Sequence, residues 1–160
     1  MCNFHQLQFA KPKSLGQHNI AMKTSLNVKK AYGLALSVRK RAHAPYSKYL
    51  VGAAVGVRKS GSKQTDLFFG CNVENASFGA TVCAERVAVW SAVAAGFSQV
   101  EFVVIVTQDK KPAPPCAQCL QVLAEFCKPS TAIYLANLQG IKEQLSFADL
   151  LPRPFVFTPV

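Results

Sequence analysis

The amino-acid sequence predicts an α/β fold, a three-layer α/β/α sandwich around a mixed, about five-stranded sheet. Three observations lead to this prediction. A segment with helical spacing of apolar residues comes first, and two short strand-like segments follow it. Beyond them, strand-like and helix-like segments alternate, which is typical of parallel strands covered by helices. The segment FVVIVT at residues 102–107 is apolar on both faces, as expected of a strand inside such a sheet.

The first half of the predicted domain contains a helix and a hairpin. Apolar side chains recur with helical spacing over residues 26–42, and Pro45 stops the helix. Residues 49–57 and 67–71 are short and apolar, and the polar stretch between them predicts a turn. The two segments therefore predict an antiparallel pair of strands.

The second half alternates in type, and its segments are bounded by Gly and Pro. Gly96 closes the second helix, and the prolines before Cys116 favour the start of the third. The predicted order is a loop at 72–82, a helix at 84–95, a strand at 102–107, a loop at 108–115, a helix at 118–126 and a strand at 132–136. A weaker strand is predicted near 141–145 and a short helix around 147–150.

Composition excludes some classes of protein. The chain has 160 residues, 50% of them apolar, which favours one domain with a substantial core. No apolar run approaches the roughly 18 residues that a membrane span needs, so we expect no membrane association. The formal net charge is +10, and residues 1–65 hold twelve Lys or Arg with no acidic residue. We interpret this charge as solvated helix faces and ends, with nucleic-acid binding as the alternative.

The first 25 residues are polar, basic and free of acidic side chains. We expect a flexible basic tail here, followed by a single domain over 26–160; an organelle transit peptide is the alternative for the tail, and Met22 is an alternative start. The tail lacks the compact apolar segment and cleavage site of a secretory signal, so we expect a cytoplasmic protein. In that compartment, grouped cysteines indicate metal binding more often than disulfides.

Three of the six cysteines have the spacing of metal ligands. Cys116 and Cys119 are three residues apart at a predicted helix start, so both sulfurs can reach one ion. Cys83 opens the preceding helix, and successive strand–helix units place their helix starts at one sheet edge. Three protein ligands leave a fourth zinc position open, which is the catalytic pattern. A redox pair is the alternative for Cys116 and Cys119, and the others are interpreted as ordinary thiols: Cys2, Cys71 and Cys127.

Two charged residues next to Cys83 fit a catalytic zinc site. Glu85 can carry a proton from a metal-bound water to a substrate, if Cys83 curls over the helix end while Glu85 lies beneath it. Three thiolates and one Zn²⁺ sum to a charge of −1, which weakens the metal as a Lewis acid. Arg86 is the candidate to offset that charge through hydrogen bonds to sulfur.

Four stretches resemble the small homotetrameric cytidine deaminases with a three-cysteine zinc site. They are APYSKYLVGAAV, GCNVENASFGATVCAERVAV, PPCAQCLQVLAEF and LLPRPF, and the resemblance covers residues 26–157. It implies hydrolysis of cytidine and deoxycytidine to uridine and deoxyuridine plus ammonia, in pyrimidine salvage. It also implies one zinc per subunit, bound by Cys83, Cys116 and Cys119, with Glu85 as the catalytic acid and base.

The resemblance extends to substrate contacts. It implies that Asn72 and Glu74 bind the ribose hydroxyl and that Tyr49, in a position more often occupied by Phe, packs on the base. Backbone groups of Ala84 and Pro115 would hold the edge of the base. A carboxylate such as Glu74 would repel phosphate, so we expect nucleosides rather than nucleotides.

Other matching residues imply active sites shared between subunits: Ala76, Phe78 and Phe155. Where the family usually reads PCGxCRQ, this chain has Ala117, Gln118 and Leu120, so it differs from the pattern at Ala117 and Leu120. Leu120 removes a cation near the zinc helix, which would increase the demand on Arg86. These departures bear on efficiency and leave the ligands unchanged.

Three other functions remain open from the sequence. A deaminase of tRNA or single-stranded nucleic acid would account for the basic charge. A deaminase of a cytosine-bearing antibiotic such as blasticidin S would carry the same zinc motif. A non-catalytic zinc protein would bind the metal without needing Glu85.

Overall fold

The computed structural model describes residues 25–59, 61–62 and 64–157, so the predicted tail lies almost wholly outside the described residues. The helices and strands over these ranges are, in order, α1 (Leu26–Arg39), β1 (Gly52–Val57), β2 (Asp66–Cys71), α2 (Ala84–Ala94), β3 (Val100–Val106), α3 (Ala117–Ala124), β4 (Cys127–Asn137), β5 (Gly140–Ser146) and α4 (Phe147–Leu150). A 3₁₀ turn at Phe78–Ala80 precedes α2. No helix within the described ranges combines the length and apolar character that crossing a membrane requires.

The five strands form one mixed sheet in the order β2-β1-β3-β4-β5. Strand β1 is antiparallel to both of its neighbours, β3 and β4 are parallel, and β5 returns antiparallel to β4. The predicted mixed, five-stranded sheet is therefore confirmed. The weak prediction near 141–145 corresponds to β5, which forms an edge of the sheet.

Helices cover both faces of the sheet. Helix α1 packs on one face, where Ala31 and Ala35 belong to the same buried cluster as Ala54 and Val104. Helices α2, α3 and α4 pack on the other face, in a cluster that includes Val103. Full burial of an aliphatic side chain of this size contributes about 1.5–3 kcal/mol to stability. The predicted three-layer α/β/α sandwich is confirmed.

Helix α1 lies very close to β1. Its first turn is capped by Ser25, whose Oγ accepts a hydrogen bond from the backbone N–H of Val28 at 3.3 Å. A Cβ atom at Gly52 would lie 2.0 Å from the carbonyl oxygen of Ala35, so only glycine permits this approach. The helix ends at Arg39, three residues earlier than the apolar pattern predicts, and a turn follows it.

Strand β4 begins five residues earlier than predicted. The polar residues 128–131 have the composition of a loop, but they form an irregularity within the β3–β4 pairing. Cys127 is opposite Val100, and Ala132 is opposite Phe102, so the segment bulges between two regular registers.

The sheet topology places two helix starts together. Strands β2 and β3 are both antiparallel to β1, which lies between them, so they run in the same direction. Helix α2 follows β2, and α3 follows β3, so both helices start at the same edge of the sheet. Cys83 is the N-cap residue of α2, and Cys116 is the N-cap residue of α3.

Candidate metal centre and active site

The three cysteines predicted as ligands lie together. The Sγ atoms of Cys83 and Cys116 are 3.9 Å apart. With Cys119, from the first turn of α3, all three sulfurs lie within 4.8 Å of one another. Cys83 and Cys116 have the extended backbone angles usual for N-cap residues, and neither sulfur caps its own helix. Two separate strand–helix units thus supply one cluster.

The donor set and its spacing fit a zinc ion. With Zn–S distances of about 2.3 Å and tetrahedral angles, two thiolates on one zinc lie about 3.8 Å apart. The separation of 3.9 Å between Cys83 and Cys116 is close to that value. Among the described residues, these three cysteines alone make up the cluster, which leaves one tetrahedral position for water.

Hydrogen bonds within the cluster favour a thiolate at Cys83. The hydrogen bond with Cys119 is the main cause of a pKa of Cys83 of about 5. Burial of Cys83 raises this pKa, and the hydrogen bond from Arg86 lowers it. The same contact raises the pKa of Cys119 above its ordinary value. Cys83 therefore loses its proton before Cys119, and metal binding must release the remaining thiol protons.

Glu85 points into the protein beside the cluster. The residue is only 5% exposed, in the first turn of α2. Burial raises the pKa of Glu85 to about 7, the charge of Cys83 adds to this effect, and hydrogen bonds from its own backbone and from Cys119 oppose it. Cys83 is the N-cap residue of α2, and Glu85 lies in its first turn. Both side chains therefore contact Cys119, although the two residues are only two positions apart. This geometry suits a carboxyl group that transfers protons.

Arg86 contacts one sulfur of the cluster. Its Nη2 donates to the carbonyl of Thr81 at 3.0 Å and to Sγ of Cys83 at 3.6 Å. Its guanidinium carbon lies 5.9 Å from the centre of the Trp90 ring, within range of a cation–π interaction. Leu120 packs in the hydrophobic core and adds no charge. Arg86 is thus placed to offset part of the negative charge of three thiolates.

Asn72 is buried, and both ends of its amide contact the chain that leads into β1. Its Oδ1 accepts a hydrogen bond from the N–H of Val51 at 2.8 Å, and its Nδ2 donates to the carbonyl of Tyr49 at 2.9 Å. One N–H of the amide remains for another acceptor. Asn72 therefore supports the local backbone, and its contact with the ribose stays a prediction.

Glu74 holds the turn before β1 and borders a pocket. Its carboxylate accepts hydrogen bonds from the backbone N–H groups of Tyr46, at 2.9 Å, and Ser47, at 3.2 Å, and also from the Ser47 hydroxyl. The Ser47 hydroxyl is the main cause of a pKa of Glu74 below its ordinary value. The pocket, of about 430 Å³, is also lined by Phe78 and Thr81.

A second cleft, of about 700 Å³, lies at the opposite edge of the sheet and is lined by Arg58 among others. None of the three cysteine ligands lines this cleft.

Two of the three residues predicted to contact the base adjoin a cysteine ligand in the chain. Ala84 directly follows Cys83, Pro115 directly precedes Cys116, and both residues are buried. Tyr49 is half-buried, and its hydroxyl donates to the carboxylate of Asp109. Burial and this contact raise the pKa of Tyr49.

The residues predicted to reach a neighbouring subunit are exposed in the single chain. Phe78 is 75% exposed, and its ring packs edge-on against Tyr46, with centroids 5.8 Å apart. Phe155 is 72% exposed, and Ala76 is exposed as well. Large apolar side chains with this exposure mark a surface suited to contact with another molecule.

The sequence did not predict a polar contact made by one of these exposed residues, Phe155. The side-chain amide of Gln121, on α3, forms two hydrogen bonds with the backbone of Phe155. Its partner is 34 residues away, and no local pattern signals such a pair. The one available signal is a polar residue inside the otherwise apolar stretch LQVLA.

Three cysteine sulfurs, a position left for water and an adjacent buried carboxyl define the site of a zinc enzyme. The family model for the cytidine and deoxycytidylate deaminase zinc-binding region matches residues 26–136. The chain belongs to this family.

Named relatives and solved structures agree with that assignment. The cytidine deaminase of Halalkalibacterium halodurans is 43% identical over 121 residues, which is 76% of this chain and 88% of the relative. That of Sporosarcina psychrophila is 38% identical over 130 residues, covering 81% and 92% of the two chains. The crystal structure of cytidine deaminase from Burkholderia pseudomallei has a TM-score of 0.73 at 38% identity, covering 82% of this chain and all of the other.

Proposed function

We propose that this chain is a cytidine deaminase that hydrolyses cytidine and deoxycytidine to uridine and deoxyuridine, with release of ammonia. The observation that carries the proposal is the cluster of Cys83, Cys116 and Cys119 with the Glu85 carboxyl buried beside it. Relatives named cytidine deaminase at 38–43% identity favour a nucleoside over the antibiotic and nucleic-acid alternatives.

Zinc, when bound by the three thiolates, acts as the Lewis acid that makes a water molecule nucleophilic near neutral pH. The chain's own contribution is proton transfer by Glu85. The water oxygen forms a bond to C4 of the pyrimidine while Glu85 moves one water proton to N3. Glu85 then moves the second proton from that oxygen to the amino group. The C4–N bond breaks, ammonia leaves, and a C4 carbonyl remains.

Several residues would orient the nucleoside for this reaction. The free N–H of Asn72 and the carboxylate of Glu74 bind the ribose hydroxyl, and the Tyr49 ring packs on the base. Backbone groups of Ala84 and Pro115 hold the base edge near Glu85. The negative charge of Glu74 disfavours a phosphorylated sugar.

We further propose a homotetramer in the cytoplasm, acting in pyrimidine salvage, with its catalytic domain over 26–160. The exposure of Phe78 and Phe155 supports shared active sites, because contact with other subunits would bury these rings. Each subunit would then supply Ala76, Phe78 or Phe155 to a neighbour's pocket.

Purified protein should bind one zinc per chain and convert cytidine to uridine, which is followed by the fall in ultraviolet absorbance. Metal content is measured on the same sample, and the mass of the complex in solution tests the tetramer. Zinc binding without turnover of cytidine or deoxycytidine would overturn the proposed activity and favour a non-catalytic zinc protein.

A further inference from the structure

The loop between β3 and α3 carries the chain from the sheet to the ligand Cys116. Three consecutive residues at its start, at positions 108–110, each accept a hydrogen bond from a different part of the fold. Pro112, Pro114 and Pro115 follow, and each restricts its own φ angle to near −65°. The start of the loop is thus held from outside, and its end has little freedom to adjust.

The first contact comes from Arg39, the last residue of α1. Arg39 is 8% exposed, and its Nη2 donates to Oε1 of Gln108 at 2.9 Å. A Cβ at Gly52 would lie 2.9 Å from Cβ of Arg39, so the end of α1 packs on the start of β1. Gly52 pairs with Val106, the last residue of β3. Helix α1 therefore places the guanidinium of Arg39 beside Gln108, at the start of the loop.

The second contact comes from Asn137, the last residue of β4. Asn137 is 2% exposed, and its Nδ2 donates to the carbonyl of Lys110 at 3.0 Å. Its Oδ1 accepts from the N–H of Gln139, and its carbonyl accepts from the hydroxyl of Tyr32, each at 3.0 Å. Asn137 therefore joins the loop to β4, to the β4–β5 turn and to α1.

The third contact is the hydrogen bond from Tyr49 to Asp109. Tyr49 occupies a position where the resemblance leads us to expect Phe more often, and Phe could not make this bond. The ring proposed to pack on the base and the loop that ends at Cys116 are thereby linked directly.

Packing alone does not account for Arg39. Burial of a guanidinium is unfavourable unless the group is fully paired, and Nε of Arg39 has no hydrogen-bond partner among the described residues. An apolar side chain of similar volume often gives a more stable protein at such a position. An arginine at this position is explained if its hydrogen bond to Gln108 fixes the loop that leads to the zinc ligand Cys116.

We propose that Arg39 and Asn137 are positioning residues that hold the β3–α3 loop so that the Cys116 sulfur stays within reach of the zinc. The catalytic role of the zinc rests on the proposed function. The contacts of Arg39 and Asn137 with the loop are expected to affect zinc binding itself, whether or not the chain deaminates cytidine. Loss of a group that is hydrogen-bonded directly to a metal ligand weakens metal affinity or activity by about 10- to 100-fold, and we expect the lower end of that range for contacts that act through the loop.

The test is the affinity of the full chain for Zn²⁺, measured by competition with a chromophoric chelator. Arg39→Met and Gln108→Ala should each weaken zinc binding by about 10-fold or more. Because both changes remove the same hydrogen bond, the double variant should bind zinc no more weakly than Arg39→Met alone. Arg58→Met is the matched control, since it breaks a partly exposed ion pair with Glu101 and should leave zinc affinity unchanged.

Co²⁺ in place of zinc gives a readout that general destabilisation would not produce. The thiolate-to-cobalt absorption should weaken in Arg39→Met and in Asn137→Asp, which keeps the acceptor for Gln139 but cannot donate to Lys110. Zinc affinity within twofold of wild type in Arg39→Met and Gln108→Ala, or an unchanged cobalt spectrum, would overturn the proposal. Gln108 is exposed, so Gln108→Ala decides the matter even if Arg39→Met fails to fold. If the wild-type chain binds zinc without deaminating cytidine, the proposed function fails and these measurements still test the loop.

Discussion

Gln121 and Phe155 are joined by two hydrogen bonds between one side-chain amide and one residue's backbone. Nε2 of Gln121 donates to the carbonyl of Phe155 at 2.9 Å, and Oε1 accepts from its N–H at 3.1 Å. Because Gln121 lies on α3 two residues after Cys119, the C-terminal segment is held directly on the helix that carries Cys119 and has Cys116 as its N-cap residue.

This pair predicts that Gln121→Ala lowers kcat/KM for cytidine while zinc remains bound at one per chain. Each lost hydrogen bond is worth about 0.5–1.5 kcal/mol, so the segment would leave α3 more often. Removal of residues 155–160 should lower kcat/KM for cytidine further, again with zinc retained. The control is Gln144→Ala, on the exposed face of β5. Full activity of the truncated chain would contradict shared active sites.

Glu85→Gln should keep zinc and lose nearly all turnover. The amide fills the same buried space but cannot accept and release the protons, and general acid–base catalysis contributes about 10²–10⁴-fold in rate. Steady-state rates and metal content on the same preparation give the measurement. Glu101→Gln, in a partly exposed ion pair with Arg58, is the matched control. A Glu85→Gln enzyme with more than a tenth of the wild-type rate would remove Glu85 from the mechanism.

Cys116→Ser should lower the bound zinc well below one per chain, because a neutral hydroxyl is a much poorer ligand than a thiolate. Metal analysis after dialysis against a weak chelator measures this loss. Cys71→Ser removes a thiol that lies outside the cluster and should keep its zinc. Equal zinc content in the two variants would contradict the assigned ligand set.

Asn72→Ala should affect both stability and substrate selection. Loss of the bonds to Val51 and Tyr49 is expected to lower the free energy of unfolding by about 1–3 kcal/mol. Activity should fall more for cytidine than for free cytosine, which lacks the ribose. Thermal unfolding and the two rates are measured together, with Asn75→Ala in the neighbouring exposed loop as control. Equal loss on both substrates would refute ribose binding by Asn72 and leave only its structural role.

Much of the fold could be predicted because its signals are local. The apolar segment 102–107 indicated a central strand, and Gly96 and the prolines marked the boundaries of helices. The start of β4 could not be predicted, since residues 128–131 have loop composition and belong to the strand only because Cys127, before them, also pairs with β3. The apolar pattern extends three residues beyond the end of α1, because such a pattern does not show where the backbone hydrogen bonds stop.

The sequence by itself determined which residues could bind zinc and transfer protons. Those residues are close together in two short motifs at helix starts, where spacing along the chain largely sets which side chains can meet. Only the tertiary structure decided what holds the motifs in place. Arg39 and Gln108 are 69 residues apart, and Gln121 and Phe155 are 34 apart, and in both cases a sheet and its helices bring the partners together. Contacts over such distances depend on how whole layers pack, and no local pattern of residues records that packing.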